Sequence, residues 1–217
     1  MLRFYQGGPY FQYAVTFHMR RFCNAAIFVI SPKKADVSMD KRIAENRRVK
    51  AQICKAFLEL LKATPPEEVD SISISLITSR AKVSRMAYYR NFKSKNDLVK
   101  YYFDEVMWSD ITEALGEDID FWTNDYGRVF FSTMKKHRET ILLLDGHGYT
   151  SVLLSSFNHH NEEIAGDMPA NSIDRYKLYY AAGASMNAVL VWLRSGCRES
   201  VESMVSSFSD FCRYLHG

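Results

Sequence analysis

The sequence is short of the features that mark membrane, secreted and metal-binding proteins. It has 4 cysteines in 217 residues and none of them forms a Cys-x-x-Cys pair, so neither a disulfide framework nor a cysteine-rich zinc site is expected. The best apolar run, 25–30, is a hexapeptide, whereas a membrane-spanning helix needs roughly 18 residues or more. With no credible cleaved signal peptide either, we expect a cytoplasmic protein with reduced thiols and neither metal nor cofactor.

Motifs of enzyme catalysis are also missing. No nucleophile, base and orienting group occur at the spacing of a catalytic motif, so the sequence predicts no enzyme. His147, His159 and His160 suggest a metal site, but adjacent histidines point to different sides of a helix and chelate poorly. Surface or helix-capping roles are therefore expected for these histidines.

The charges are distributed unevenly along the chain. The formal net charge is only +3, but residues 1–100 hold 19 basic and 8 acidic side chains, whereas residues 101–217 hold 9 basic and 17 acidic ones. The first half therefore carries +11 and the second half −8, which indicates an anionic partner for the first half. The length suits one large domain or two small ones and excludes a large multidomain enzyme.

The first 40 residues differ in composition from the rest of the chain. Residues 1–38 hold five basic side chains and one acid, and their aromatic residues follow neither a helical nor a strand period. Translation from Met39, or a loosely attached extension, is favoured over a functional arm; a transit peptide and an extra element packed on the body are further alternatives. We therefore divide the chain into an extension (1–40), a first domain (41–104) and a second domain (105–217).

Helical periodicity begins near Arg47. Apolar side chains recur at i, i+4, i+7, i+8 and i+11 from Val49 to Leu60, which is the stripe of an amphipathic helix. The helix is predicted to end at Thr64, because the two prolines after it cannot continue it.

Three further short helices are expected before residue 105. Ser73, Ser84 and Ser94 are candidate N-caps, and Asp97 completes a capping box with Ser94. The alternating apolar residues of 71–77 would also fit a strand, but that strand would be isolated, so a helix is favoured.

The second half has the same helical rhythm. Helices are predicted over 119–137, 139–145, 149–165, 173–195 and 200–214, with glycine-containing turns between them. The sequence therefore predicts an all-α fold.

The segment 74–92 has the pattern of a helix-turn-helix. Its apolar residues, among them Ile77, Tyr88 and Phe92, can form the small joint between two short helices and against the first helix. Four other residues, Arg85, Met86, Tyr89 and Arg90, then lie on the outward side of the second helix. A helix with such a face fits the major groove of DNA, and the amides that start the helix at Ser94 suggest an additional anion site.

The stretch 81–98, AKVSRMAYYRNFKSKNDL, resembles the signature of the TetR family of bacterial transcriptional regulators. The apolar spacing, the tyrosine, the Phe-x-Ser-Lys segment and the Asp-Leu after it all agree with this signature. The resemblance covers about 47–100, and it implies a three-helix DNA-binding domain followed by a helical domain that senses a ligand and dimerises. Lys82 stands where the family usually has glycine, so the turn requires a lysine with positive φ.

The resemblance also implies a set of DNA contacts. Arg85 and Met86, with Arg90 and Asn91, would read base edges, and Arg85 is the best candidate for bidentate pairing with guanine. The other contacts would go to the phosphate backbone. The predicted DNA-binding residues are Ser73, Ser75, Lys82, Ser84, Arg85, Met86, Tyr89, Arg90, Asn91, Lys93 and Lys95. Tyr88 is expected to be a core residue instead.

For the second domain the resemblance implies a dimer built from the last two helices and an effector pocket among the middle ones. The expected interface residues are Ala181, Ala184, Met186, Ala188, Val189, Leu193, Met204, Phe208 and Phe211. The expected pocket is lined by Phe121, Trp122, Tyr126, Phe130, Met134, Phe157, Tyr176 and Tyr180, although for each of these a plain core role is the favoured alternative.

The combined interpretation is a homodimeric repressor that a small-molecule inducer releases from a palindromic operator in double-stranded DNA. The alternative is a helix-turn-helix regulator or activator that is controlled by a protein partner. The shape of the second domain discriminates between them, because a small-molecule site needs an internal volume of roughly 300 Å³ or more.

Overall fold

The structure is a computed structural model that describes residues 34–116, 119, 123–166 and 173–216. Every regular element in these ranges is helical, which confirms the all-α fold class. The extension up to residue 33 lies outside them. In chain order the elements are α1 (Lys34–Ala63), a 3-10 helix (Pro66–Ser71), α2 (Ile74–Ala81), α3 (Arg85–Asn91), α4 (Lys95–Tyr101), a π-helical segment (Tyr102–Met107), α5 (Trp108–Leu115), α6 (Asn124–Lys136), α7 (Arg138–Gly146), α8 (Thr150–Ala165), α9 (Ile173–Arg194) and α10 (Val201–His216).

The helices α1 to α4 form one unit, which we call the head. The apolar stripe of α1 is its centre: Ile53, Phe57 and Leu61 are completely buried, and α2, α3 and α4 pack against this helix. The predicted end of α1 is confirmed, since the helix ends at Ala63, two residues before the first proline.

Serine caps begin the three short helices of the head, as predicted. Ser73 Oγ accepts a hydrogen bond from the amide of Leu76, and this start of α2 excludes the strand alternative for 71–77. Ser94 and Asp97 form the complete capping box of α4. These helices have seven or eight residues, so satisfied end groups matter to each of them.

The structure corrects two boundaries and adds one helix. The first helix begins at Lys34 and not near Arg47. The helix predicted over 119–137 begins at Asn124, because Thr123 Oγ1 accepts from the amide of Tyr126 and so acts as the N-cap. The short helix α5 was not predicted.

The remaining helices α5 to α10 form the body. The middle helix α6 packs against α10 and α9, while α8 packs against α9 and also reaches α4 of the head. One contiguous cluster of buried apolar residues runs through head and body. None of the described helices is long and apolar enough to cross a membrane.

The head continues into the body through one unbroken helical rod. The residues that join α4, the π-helical segment and α5 all have right-handed helical φ and ψ values. The expected domain boundary at 104/105 falls inside the π-helical segment. Such wide turns inside helices are uncommon and frequently occur at functional sites.

Two further contacts connect the head to the body. The imidazole of His147 lies 2.8 Å from the carbonyl oxygen of Leu143 and 2.9 Å from that of Thr64, just after α1. The capping role predicted for this histidine is confirmed. Lys62 and Glu139 form a looser, exposed ion pair at 3.9 Å.

A hydrogen-bonded chain holds the π-helical segment to the junction of α6 and α7. The hydroxyl of Tyr102 lies 2.6 Å from His137 Nδ1, and Asp110 Oδ2 lies 2.6 Å from His137 Nε2 and 2.7 Å from Lys136 Nζ. Burial disfavours the charged form of Asp110, but the hydrogen bonds and charges of Lys136 and His137 outweigh it and lower the pKa of this carboxyl.

We expect Asp110→Asn to lower the free energy of unfolding at neutral pH by about 1 kcal/mol, since a neutral acceptor replaces a charged one. A lowered pKa in the folded state stabilises the protein above the ordinary value of 3.8, and this contribution is lost as the pH falls through the folded-state pKa. The variant should therefore lose less stability than the parent on acidification, measured by denaturant unfolding between pH 7 and pH 3. Glu199→Gln, in the exposed loop between α9 and α10, is the control, and equal acid profiles for all three proteins would contradict the prediction.

Candidate nucleic-acid interface

The turn between α2 and α3 has the geometry that the helix-turn-helix pattern predicts. Lys82 has φ 54° and ψ 43°, the left-handed conformation expected at the position where the resembled family has glycine. The amide of Lys82 donates to Ser79 O at 3.1 Å, and the amide of Val83 donates to Thr78 O at 3.0 Å. These bonds satisfy the last carbonyls of α2 and bring α3 across it.

Buried residues fix the rotation of α3. Tyr88 is completely buried and Phe92 is 4% exposed, and they pack with Ile77 and Ala81 of α2 in the joint that was predicted. The core role of Tyr88 is therefore confirmed. Because successive residues of a helix are about 100° apart, burying this side chain turns Met86 to the opposite side.

The outward face of α3 is exposed over its whole length. Met86 is 71% exposed and Tyr89 is 58% exposed, values that are unusual for large side chains with apolar surface. Arg85 and Arg90 are exposed beside them. The face therefore combines two guanidinium groups with two large side chains on a helix short enough to enter a groove.

Arg85 is held in position by the neighbouring helix. Its Nη2 donates to Ser75 Oγ at 2.6 Å, so the guanidinium is drawn towards the start of α2 while both groups remain exposed. Ser73 and Ser84 use their hydroxyl oxygens as acceptors for helix amides, which leaves each hydroxyl hydrogen available for a phosphate oxygen.

The charged residues in the sequence around this face are all basic. No acidic residue occurs between Asp70 and Asp97. The basic residues in that interval are Arg80, Lys82, Arg85, Arg90, Lys93 and Lys95. A polyanion approaching α3 therefore meets an excess of cations, although Arg80 lies 3.7 Å from Glu59 and Lys95 lies 4.0 Å from Asp70.

Asn91 and Lys95 are predicted contact residues that also bind other parts of the head. The Asn91 amide accepts from Asn46 Nδ2 at 2.8 Å and donates to Ala87 O at 2.8 Å, so it joins the end of α3 to α1. Lys95 Nζ donates to Val69 O at 3.1 Å and is only partly exposed. Sequence reasoning missed the role of Asn46, because nothing in a single polar residue indicates a partner 45 positions away.

The anion site expected at the start of α4 is already filled. Asp97 Oδ2 accepts from the amides of Lys93 and Ser94 at 2.7 and 3.1 Å, so the capping box itself supplies the negative charge. The side chain of Lys93 remains exposed and able to meet a phosphate.

The described residues of the predicted effector pocket do not enclose a cavity together. Tyr126, Phe130 and Phe157 are buried and their rings stack on one another with centroids 5.5 to 5.8 Å apart. Met134 borders an apolar gap that is too narrow for a water molecule. Tyr176 and Tyr180 are more than half exposed on α9, and Phe121 and Trp122 lie outside the described residues.

A polar cleft of about 310 Å³ lies at the surface where the head meets the body. It is lined by Tyr102 and by residues 135–140, so it contains none of the side chains expected to bind an effector.

The two adjacent histidines of α8 have different environments. His159 is exposed and lies 3.3 Å from Glu163, as expected for a surface residue. His160 is buried, which corrects the surface or capping role expected for it: its ring stacks on Trp108 at 4.3 Å and its Nε2 lies 3.0 Å from Asp104 Oδ1. Among the described residues no group of three potential ligands could hold a metal ion.

The predicted dimer residues fall into buried, half-buried and exposed groups. Met186, Val189 and Leu193 are buried in the core of their own chain. Ala181, Met204, Phe208 and Phe211 are half-buried. Ala184 and Ala188 are exposed, and they continue a stripe along the outer face of α9 that comprises Ile173, Tyr176, Tyr180, Ala184, Ala188 and Val191.

Comparisons with known proteins give a distant structural likeness. No protein-family model matches the chain, and no curated protein matches it in sequence. Among solved structures, the dihydroxyacetone kinase operon activator DhaS is similar with a TM-score of 0.44 and 17% identity, over 75% of this chain and 93% of that chain. The likeness is too slight to support a function, which has to come from the geometry of the chain itself.

We expect Lys82→Gly to raise the free energy of unfolding by about 1 kcal/mol, because glycine adopts the left-handed conformation without the steric cost that a side chain brings. Lys93→Gly is the matched control, since Lys93 is exposed and does not have positive φ, and it should lower stability. Denaturant unfolding measures both. Equal destabilisation by the two substitutions would show that the turn stores no strain.

Proposed function

We propose that the chain is a DNA-binding transcriptional regulator that inserts α3 into the major groove of double-stranded DNA. The observation that carries the proposal is the exposed face of α3, where Arg85, Met86, Tyr89 and Arg90 are aimed outward by the buried Tyr88. The length of α3, seven residues or about 10 Å, is close to the groove width of about 12 Å. The proposed activity is binding and not catalysis, and a protein with this role would work in the cytoplasm.

We further propose that two copies associate through the outer face of α9. The stripe of Ile173, Tyr176, Tyr180, Ala184 and Val191 repeats at helical spacing, and the small alanine in its centre allows close approach of a second helix. A two-fold dimer would set two α3 helices about 34 to 36 Å apart and so recognise a palindromic operator.

A small-molecule inducer that releases a repressor from DNA is the form of regulation that we propose first. Its effect would reach the head through the rod of α4, the π-helical segment and α5, which touches α8 of the body. In this mechanism the rod has two positions, and the inducer must bind the protein more tightly in one of them. Only such a difference in affinity shifts the populations of the two positions.

A protein partner is the second candidate for control. It is favoured by one observation: the described aromatic residues among those expected to line an inducer pocket are either stacked in a core or exposed on α9. Exposed Tyr176 and Tyr180 would then serve a partner in addition to, or in place of, a second copy.

Selection of bound fragments from a random pool of duplex DNA tests the main proposal. The purified full chain should enrich a palindrome whose half-sites are one helical turn apart, or a multiple of it. Failure to bind any duplex at low salt would sink the proposal, and enrichment of a single non-repeated site would sink the dimeric form of it.

We expect Arg85→Ala to relax sequence preference at one base pair of each half-site, with a loss of about 1 to 3 kcal/mol of discrimination. The measurement is a comparison of affinities for the selected operator and for its single-base variants. Arg198→Ala removes an exposed arginine from the loop between α9 and α10 and should leave discrimination unchanged. A uniform loss of affinity for all sequences would instead assign Arg85 to a phosphate.

We expect Ala184→Glu to convert the dimer to a monomer, because it buries a charge at the centre of the proposed interface. Sedimentation or light scattering measures the mass in solution. The matched control is Ala51→Glu on the exposed side of α1, which should remain dimeric. A dimeric Ala184→Glu protein would show that the association uses another surface.

A further inference from the structure

His147 joins two helix ends that belong to different parts of the chain. Thr64 follows the last residue of α1 in the head, and Leu143 lies in the last turn of α7 in the body. The carbonyl oxygen of Thr64 lies 2.9 Å from Nε2 of the imidazole, and that of Leu143 lies 2.8 Å from Nδ1. One half-buried side chain therefore contacts the head through one ring nitrogen and the body through the other.

Both partners of this imidazole can only accept hydrogen bonds. A carbonyl oxygen has lone pairs and no proton, so each of the two contacts needs an N–H group on the ring. A neutral imidazole has one N–H group, and its other nitrogen then directs a lone pair at an oxygen that lies at hydrogen-bond distance. The imidazolium has two N–H groups and satisfies both oxygens. The bridge is therefore complete only when His147 carries a positive charge.

The position of the ring between two helix ends favours that charge. The carbonyl groups at the carboxyl end of a helix carry a partial negative charge, because the last ones have no amide partner within the helix. Thr64 and Leu143 present such carbonyl groups from the ends of α1 and α7. A cation at this point is stabilised by both helices.

The charged groups on the elements around the ring are mostly acidic. Lys62 of α1 pairs loosely with Glu139 of α7 at 3.9 Å, and Asp145 of α7 accepts from Arg194 of α9. Burial raises the pKa of the Tyr149 phenol, and the charge of a nearby carboxylate adds to this effect. The other groups on the adjoining elements are Glu67, Glu68 and Asp70 of the 3-10 helix and Arg138 at the start of α7.

Among these groups, only an imidazole ordinarily changes its charge near neutral pH. Carboxyl groups ordinarily titrate below about pH 5, and phenol, ammonium and guanidinium groups above about pH 9. A change in the bridge between these limits therefore reports the proton of His147 itself.

His137 shows why the partners of His147 matter. One partner of His137 is the hydroxyl of Tyr102, which can donate or accept, and the other is the carboxylate of Asp110. A neutral ring can donate to the carboxylate and accept from the hydroxyl, so both bonds of His137 persist without a charge. The two carbonyl partners of His147 do not allow this.

We propose that His147 is a proton-dependent latch between the head and the body. The protonated ring ties the ends of α1 and α7 together, and loss of the proton breaks one of the two contacts. The rings of Phe57 and Tyr149, with centroids 5.9 Å apart, join the same two parts at any pH, so an open latch loosens the head without releasing it. The inference goes beyond the proposed function, because the latch does not require that the head binds DNA.

The direct test follows the ring nitrogens of His147 by proton–nitrogen NMR of the full-length chain between about pH 5 and about pH 9. Their signals are identified by their absence from the spectrum of His147→Gln. We expect both nitrogens to carry protons at the acidic end and one of them to lose its proton as the pH rises. The carbonyl carbon signals of Thr64 and Leu143 should shift with the same midpoint.

A second measurement reports the contact between head and body. Hydrogen exchange of the amides at residues 61–64 and 143–149, corrected for the intrinsic rates, is compared at the two ends of the pH range. The parent should lose protection by roughly tenfold or more at the alkaline end, because a hydrogen bond to a charged group is lost. His147→Gln has a neutral side chain throughout, so its corrected protection should be low and independent of pH.

His159→Gln is the matched control, since it replaces an exposed histidine of α8, and it should respond to pH as the parent does. Circular dichroism verifies that both variants retain the helical content of the parent. If His147→Gln does not fold, the titration of the parent, assigned through its own backbone signals, decides alone.

A titration of His147 that coincides with the loss of protection supports the proposal. A ring that stays neutral, or stays doubly protonated, over the whole range overturns it. Protection that is independent of pH in the parent, or that falls equally in His147→Gln, overturns it as well. A chain that binds no DNA would refute the proposed function and leave the latch unaffected, so the two proposals fail separately.

Discussion

The burial of Tyr88 is the constraint on which the rest of the head depends. A helix of seven residues is too short to persist in water by itself, so α3 exists because this side chain and Phe92 are packed against α2 and α1. The same burial selects which residues face outward. The hydroxyl of Tyr88 has no hydrogen-bond partner among the described residues, which shows that apolar packing outweighs the loss of one hydrogen bond here.

Electrostatics divides the chain into two parts, although one buried apolar cluster joins the head to the body. The head has a long interval without acidic residues, whereas the second half of the sequence is net acidic. The phosphate backbone of DNA attracts the head and repels the acidic second half, which favours one orientation of the protein on DNA. Charge and free amides in the sequence can also mislead. The amides at the start of α4 suggest an anion site, but the capping carboxylate of Asp97 already accepts hydrogen bonds from them.

Much of the fold could be predicted from the sequence where local chemistry decides the outcome. Serine caps, a proline pair and an uninterrupted apolar stripe act within a few residues, and they fixed the ends of the helices in the head. The first turns of α1 have no such stripe, and the burial of His160 depends on Trp108, which is 52 positions away and was not expected to be helical. Single-residue patterns also do not distinguish an aromatic core from an aromatic cavity, because both use the same side chains.

The π-helical segment at Tyr102–Met107 has a geometric consequence for the whole molecule. A wide turn accommodates one residue more than an α-helical turn, so the helix after it is rotated by about 100° and drawn back by about 1.5 Å along the axis relative to an uninterrupted helix with the same number of residues. The rotation of the body about the rod, relative to the head, therefore depends on the number of residues in this segment, and one residue is enough to change it. A deletion or insertion of one residue in this segment would rotate α5 and the other helices of the body relative to the head. The contacts inside the head would stay as they are.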